Sequence, residues 1–98
     1  MDILGLDSSI KSILRKTYED SHNLYKKLLN YEDGYYDFFN YYMKMAKKRL
    51  EEKGYIIKYM QINDDTFSFI FDISKDGKNF KAYANISGKI SVESEQII

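Results

Sequence analysis

The chain has 98 residues, fifteen Lys and Arg against fifteen Asp and Glu, one His and no Cys, Pro or Trp, enough for one domain with a real core and too few for two. Zero formal net charge and a pI near 6.6 argue against a general DNA coater, and the lack of cysteine excludes a disulfide framework, a thiol nucleophile and a Cys-based zinc site. The start, MDILGLDSS, has no cationic leader and too short an apolar run for a signal peptide or a membrane span, so a cytoplasmic protein without membrane contact is expected.

Ile10, Ile13, Leu14, Thr17, Leu24, Leu28 and Tyr31 recur at steps of three and four, which predicts a first helix over Asp7 to Tyr31. Asp7, Ser8 and Ser9 are its candidate N-caps, with Leu6 as the apolar contact before them. Asn30 to Gly34 ends it, and Asp33-Gly34 supplies a turn and a cap for a second helix over Tyr35 to Lys53. Gly54 suits the position just after that helix. A connection this short makes the two helices antiparallel neighbours.

After Gly54 the period changes from 3.6 to 2. Tyr55 to Ile62 is a predicted first strand, and Asn63, Asp64 and Asp65 break it. A second strand over Thr66 to Ile73 puts Phe67, Phe69, Phe71 and Ile73 on one face. Asp76-Gly77 is a hairpin signal leading to a third strand with Phe80, Ala82, Ala84 and Ile86 on one face. Ser87-Gly88 turns the chain into a short fourth strand, Ile90 with Val92, before a tail from Ser94 to Ile98. The Phe row needs a cover, and the two helices are the amphipathic elements available. The expected fold is therefore α+β, an N-terminal antiparallel helical hairpin packed on a three- or four-stranded antiparallel β-meander, in the order ααββββ as a two-layer sandwich. The expected core comprises Ile10, Ile13, Leu14, Leu24 and Leu28, then Phe39, Met43, Ala46 and Leu50, and the inward rows of the sheet.

Candidate binding residues follow from what that core leaves over. In the second helix Tyr35, Phe39, Tyr42, Met43, Ala46 and Leu50 form one stripe, while Phe38, Tyr41 and Met45 form another, and the first helix carries Tyr18 and Tyr25 beside its main stripe. These flanks either pack the helices together or form a protein-binding or self-association surface, for which Tyr is well suited. A homodimer through Phe38, Tyr41 and Met45 is one form of the second possibility. Asp64, Asp65, Asp72 and Asp76 are candidate acidic contacts to a nucleic-acid-binding groove on a partner. Lys44, Lys47, Lys48 and Arg49 near the end of the second helix offer the alternative of nucleic-acid contact, although cations there also oppose the helix dipole.

Catalytic constellations are sparse. Neighbouring residues on a helix diverge by about 100°, so Asp20, Ser21 and His22 cannot form a triad by themselves. Asp72 and Lys75 do not share a strand face, and no metal or cofactor is expected. A substrate site on the exposed sheet face around Lys58, Lys81 and Tyr83 remains the one enzyme possibility. Thirteen lysines stand against two arginines, a usage served by A/T-rich codons. In size, codon bias and lack of catalytic constellations the chain resembles small phage or mobile-element proteins that block host defence, anti-CRISPR proteins among them. The resemblance implies a non-enzymatic module that occludes a surface of a larger protein or complex, in the host cytoplasm if phage-encoded.

Overall fold

In the computed structural model, residues 3–30 and 32–95 are described. Helix α1 (Ile3–Tyr25) is followed by a single 3-10 turn (Leu28–Asn30), helix α2 (Glu32–Glu52) and four strands, β1 (Ile56–Asn63), β2 (Ser68–Lys75), β3 (Lys78–Asn85) and β4 (Ile90–Glu95). The strands form one antiparallel sheet in the order β1-β2-β3-β4. The α+β meander expected from the sequence is the fold observed. α1 lies over β3 and β4, α2 packs on β1, and the two helices pack against each other.

The helix boundaries differ from the expectation at both ends of α1. Starting at Ile3 places Asp7 in the second turn instead of at a cap, with one carboxylate oxygen buried and unpartnered. The earlier start carries Leu6 into the core beside Ile10 one turn on, and the Leu6 carbonyl accepts a hydrogen bond from the Tyr55 hydroxyl at 3.4 Å. The helix stops at Tyr25, and Tyr31 lies outside the described residues, as do Gln96 to Ile98 of the tail. α2 starts at Glu32, so Asp33 and Gly34 fall inside its first turn.

The end of α2 follows local chemistry closely. Tyr55 N–H donates to the Leu50 carbonyl and Gly54 N–H to the Glu51 carbonyl, both at 3.0 Å, a Schellman closure satisfying two otherwise orphaned carbonyls. Its usual apolar contact is present, since Leu50 and Tyr55 are both buried. Asp76 and Gly77, with φ of 53° and 78°, make the two-residue mirror-image turn between β2 and β3 whose twist matches the sheet.

Phe69, Phe71 and Ile73 of β2, with Phe80, Ala82 and Ala84 of β3, face the helices and are buried. Phe69 joins the layers, its ring 5.0 Å from Tyr42, 6.0 Å from Phe39 and 4.9 Å from Phe71. Fully burying a side chain of this size contributes about 1.5–3 kcal/mol. Leu24 and Leu28, expected in the core, are exposed, and Ile13, Phe67 and Ile86 are only partly buried against it. Thr17 and Ser21 are buried polar residues, and each hydroxyl donates to the carbonyl one turn back, Ile13 and Thr17 respectively, at 2.7 Å and 2.6 Å.

Candidate protein-binding surface

At the end of the molecule where α2 begins, three aromatic side chains converge. Tyr35 and Tyr36 are consecutive, so their side chains diverge around the helix and straddle Phe67 of the β1–β2 turn, with ring centroids at 6.1 Å and 5.1 Å. Phe39, one turn beyond Tyr35, closes the cluster from behind at 5.8 Å from Phe67 and is itself buried. Tyr36 is 49% exposed, and Tyr35 and Ile62 are exposed as well. A Tyr pair offers broad contact area with few rotatable bonds and a polar tip, suited to a wet interface.

The turn that carries Phe67 is held by Asn63, whose side-chain oxygen accepts from the N–H groups of Asp65 and Thr66 at 3.0 Å and 3.2 Å. Phe67 itself has φ of +50°, a left-handed conformation that costs an L residue with a β-carbon about 1–2 kcal/mol. Its carbonyl accepts from Ile86 N–H at 3.2 Å, which ties this turn to the end of β3. Asp64 and Asp65 in the same turn, and Asp37 beside Tyr36, are exposed. Three exposed carboxylates are thus close along the chain to the aromatic residues of the cluster.

The residues expected to bind from the sequence are distributed differently. Phe38 is 1% exposed, its ring 5.7 Å from Tyr18, 6.1 Å from His22 and 6.3 Å from Tyr42. It belongs to the contact between the helices and presents nothing to a partner. Tyr41 meets Tyr25 across the helices at 5.5 Å, and Tyr18, Tyr25, Tyr41 and Met45 are all part-buried. Phe38 and Tyr41 of the second stripe of α2 thus meet α1, and Phe38 offers no surface to the alternative of a homodimer through Phe38, Tyr41 and Met45.

The four acidic candidates do not form one patch. Asp64 and Asp65 precede β2 and Asp76 follows it, a separation of about 25 Å at ~3.3 Å per residue. Asp72 lies between them, paired in register with Tyr59 and Lys81 on the sheet face away from the helices. Lys75 turns to the helix side, its Nζ 4.5 Å from the Tyr55 ring centroid, so Asp72 and Lys75 point apart as their spacing predicts.

The basic candidates are partly engaged. Arg49 bonds Asp20 at 2.9 Å and donates to the Thr17 hydroxyl at 3.2 Å, while Lys47 pairs with Glu51 at 3.7 Å. The Arg49 hydrogen bond, helped by Lys16, holds the Asp20 carboxyl below its ordinary range against partial desolvation. Lys44 and Lys48 are exposed. Asp20, Ser21 and His22 diverge as expected, toward Arg49, into the core and onto Tyr18 respectively.

On the open sheet face, Lys81 and Tyr83 line a shallow depression of about 340 Å³ with Ile70, Lys89, Ser91 and Glu93, while Lys58 donates to Asn79 at 3.4 Å. Among the described residues no group of three or more His, Asp and Glu side chains is placed to hold a metal ion, and no helix is long and apolar enough to cross a membrane.

Tyr36 and the turn position of Phe67 went unrecognised in the sequence, because Phe67 completes an alternating apolar row and so resembles a strand residue. The available signal was the Tyr35-Tyr36 doublet at the start of a helix, where a single buried stripe needs only one of the two. The chain matches no known family model, no curated protein and no solved structure.

Proposed function

We propose that this protein is a non-enzymatic binding module that works by occupying a surface of a larger protein, as small phage inhibitors of host defence do. The observation that carries this proposal is the pair of exposed tyrosines, Tyr35 and Tyr36, set against part-buried Phe67, with exposed Asp37, Asp64 and Asp65 beside them along the chain. Aromatic anchors at the centre of an interface supply most of its binding energy, and neighbouring charges of one sign speed encounter with an oppositely charged surface. Carboxylates beside the anchor suit a basic groove, such as one built for nucleic acid. Steric occlusion asks only for a rigid scaffold behind such an anchor, and Phe39, packed behind Phe67 and against Phe69, provides it.

The test is affinity capture from nuclease-treated lysate of an A/T-rich bacterium, comparing the wild type with Tyr35→Ala/Tyr36→Ala and with Lys44→Ala/Lys48→Ala. The expected result is one stoichiometric protein partner, kept by the Lys variant and lost by the Tyr variant. Capture that survives the Tyr changes, or that vanishes with nuclease and with the Lys changes, overturns the proposal and transfers the function to the basic face of α2. Nucleic-acid binding would also weaken steeply with salt.

A further inference from the structure

Among the described residues other than glycine, two hold a positive φ, Asp76 at 53° and Phe67 at 50°. Asp76 is explained by its turn, since a two-residue mirror-image hairpin needs left-handed backbone and Asp tolerates it. Phe67 has no such local explanation. It ends the turn 64–67 and precedes β2, whose first residue, Ser68, pairs with Asn63. Glycine fills a left-handed position without steric cost, whereas a bulky aromatic residue there is a genuine outlier. Such strain persists only where the surroundings fix it. Here the Phe67 carbonyl accepts from Ile86 N–H at 3.2 Å, and its ring meets three aromatic side chains from the start of α2, Tyr36 at 5.1 Å, Phe39 at 5.8 Å and Tyr35 at 6.1 Å.

Contact with buried Phe39 accounts for a ring that caps the core. It does not account for Tyr36, which is 49% exposed and which Phe67 meets edge to face, the ring planes at 75°, an arrangement aromatic pairs favour. Among the described residues Phe67 is the one ring in contact with Tyr36. An exposed side chain without such a neighbour samples several rotamers, and freezing them opposes association. We propose that Phe67 is a positioning residue, its left-handed backbone retained because it sets the ring against Tyr36 and so fixes that tyrosine in one orientation before a partner arrives. This role rests on Tyr35 and Tyr36 being the binding surface, as proposed above. A glycine at position 67 would relieve the backbone and release Tyr36.

The first test is the wild type in solution. The Hα–Hβ couplings of Tyr36, measured by NMR, are expected to report a single χ1 rotamer, and averaging over several overturns the proposal. Phe67→Leu keeps an apolar side chain against Phe39 but takes the ring away from Tyr36. The Tyr36 couplings should then average while the circular dichroism spectrum stays unchanged, and Phe67→Tyr should keep them fixed. A ring that only caps the core would lower the melting temperature in Phe67→Leu and leave Tyr36 as it was, which also overturns the proposal. The strain is read from Phe67→Gly against Phe67→Ala, which both lack the ring. The Gly variant should melt higher, and equal melting would remove the strain from the account. For a partner obtained by capture, Phe67→Leu should bind about tenfold more weakly, the cost of ordering roughly one freed side chain, and unchanged affinity overturns the role. The couplings and melting need no partner, so a fixed Tyr36 with nothing captured would overturn the binding function alone.

Discussion

The two ends of the helical pair are closed to different degrees, although the sequence is about equally apolar at both. At one end Leu6, Leu50 and Tyr55 are buried. There the chain reverses through the Schellman bonds, and Lys75 Nζ donates to the Lys53 carbonyl at 2.8 Å while lying over the Tyr55 ring. At the other end Leu24 is 59% exposed, and Leu28, Tyr35 and Tyr36 are exposed as well. An apolar stripe is buried only as far as a second layer reaches. Toward this end the sheet stops at the β1–β2 and β3–β4 turns, with Phe67 meeting the start of α2 and Tyr18 set against Gly88, where an added β-carbon would lie 3.2 Å from the Tyr18 ring. The helical pair continues beyond, and its apolar residues there have no strand beneath them.

The sharpest way to break this comparison is to make one substitution at both ends. Leu50→Ala at the closed end is expected to cost about 2–5 kcal/mol, and Leu24→Ala at the open end less than about 0.5 kcal/mol, measured by urea unfolding. Equal losses would show that the open end is closed in solution.

Being open does not make that end loose. A β-carbon on Gly34 would lie 1.8 Å from the Leu28 carbonyl oxygen, so the backbone of the 3-10 turn rests directly on the first turn of α2. Gly34→Ala should therefore cost about 1–3 kcal/mol, the penalty of forced overpacking. A melting temperature unchanged from wild type would show that the connection can relax.

Between the two ends, the Tyr42 hydroxyl is buried without a hydrogen-bond partner, and burial pushes its pKa well above the usual tyrosine value. Tyr42→Phe removes the unpartnered group, keeps the ring against Phe69, and should stabilise the domain by about 1 kcal/mol. A loss of stability instead would mean that the hydroxyl has a partner in solution.

The smallest expected effect concerns the Asp20–Arg49 link. Because the folded-state pKa of Asp20 is lowered from its ordinary 3.8, its stabilisation is fully present above that value and is lost as pH falls through the folded value. Asp20→Asn should thus melt slightly below wild type at neutral pH, with the two curves converging in acid and the gap shrinking in high salt. A gap independent of pH would remove the carboxylate from the account.

The order of elements, the Asp76-Gly77 turn, the end of α2 at Gly54 and the buried row Phe69, Phe71 and Ile73 were legible in the sequence. Each rests on chemistry within a few residues: a left-handed turn position, a period of two, or an end that lacks hydrogen-bond partners. The candidate site was legible only in part, since Asp64 and Asp65 stood out whereas Tyr36 and Phe67 did not.

Periodicity alone determined which residues share a face, and with it the α+β class. Tertiary packing decided which faces are covered. Phe38 disappears between the helices because α2 meets α1 along its second stripe, and Arg49 leaves the basic face because Asp20 is opposite. α1 starts four residues before its apparent cap, carrying Leu6 to Tyr55, a partner 49 positions away. Those outcomes depend on distant segments brought together by burial, and a local pattern carries no record of how far the opposing layer extends.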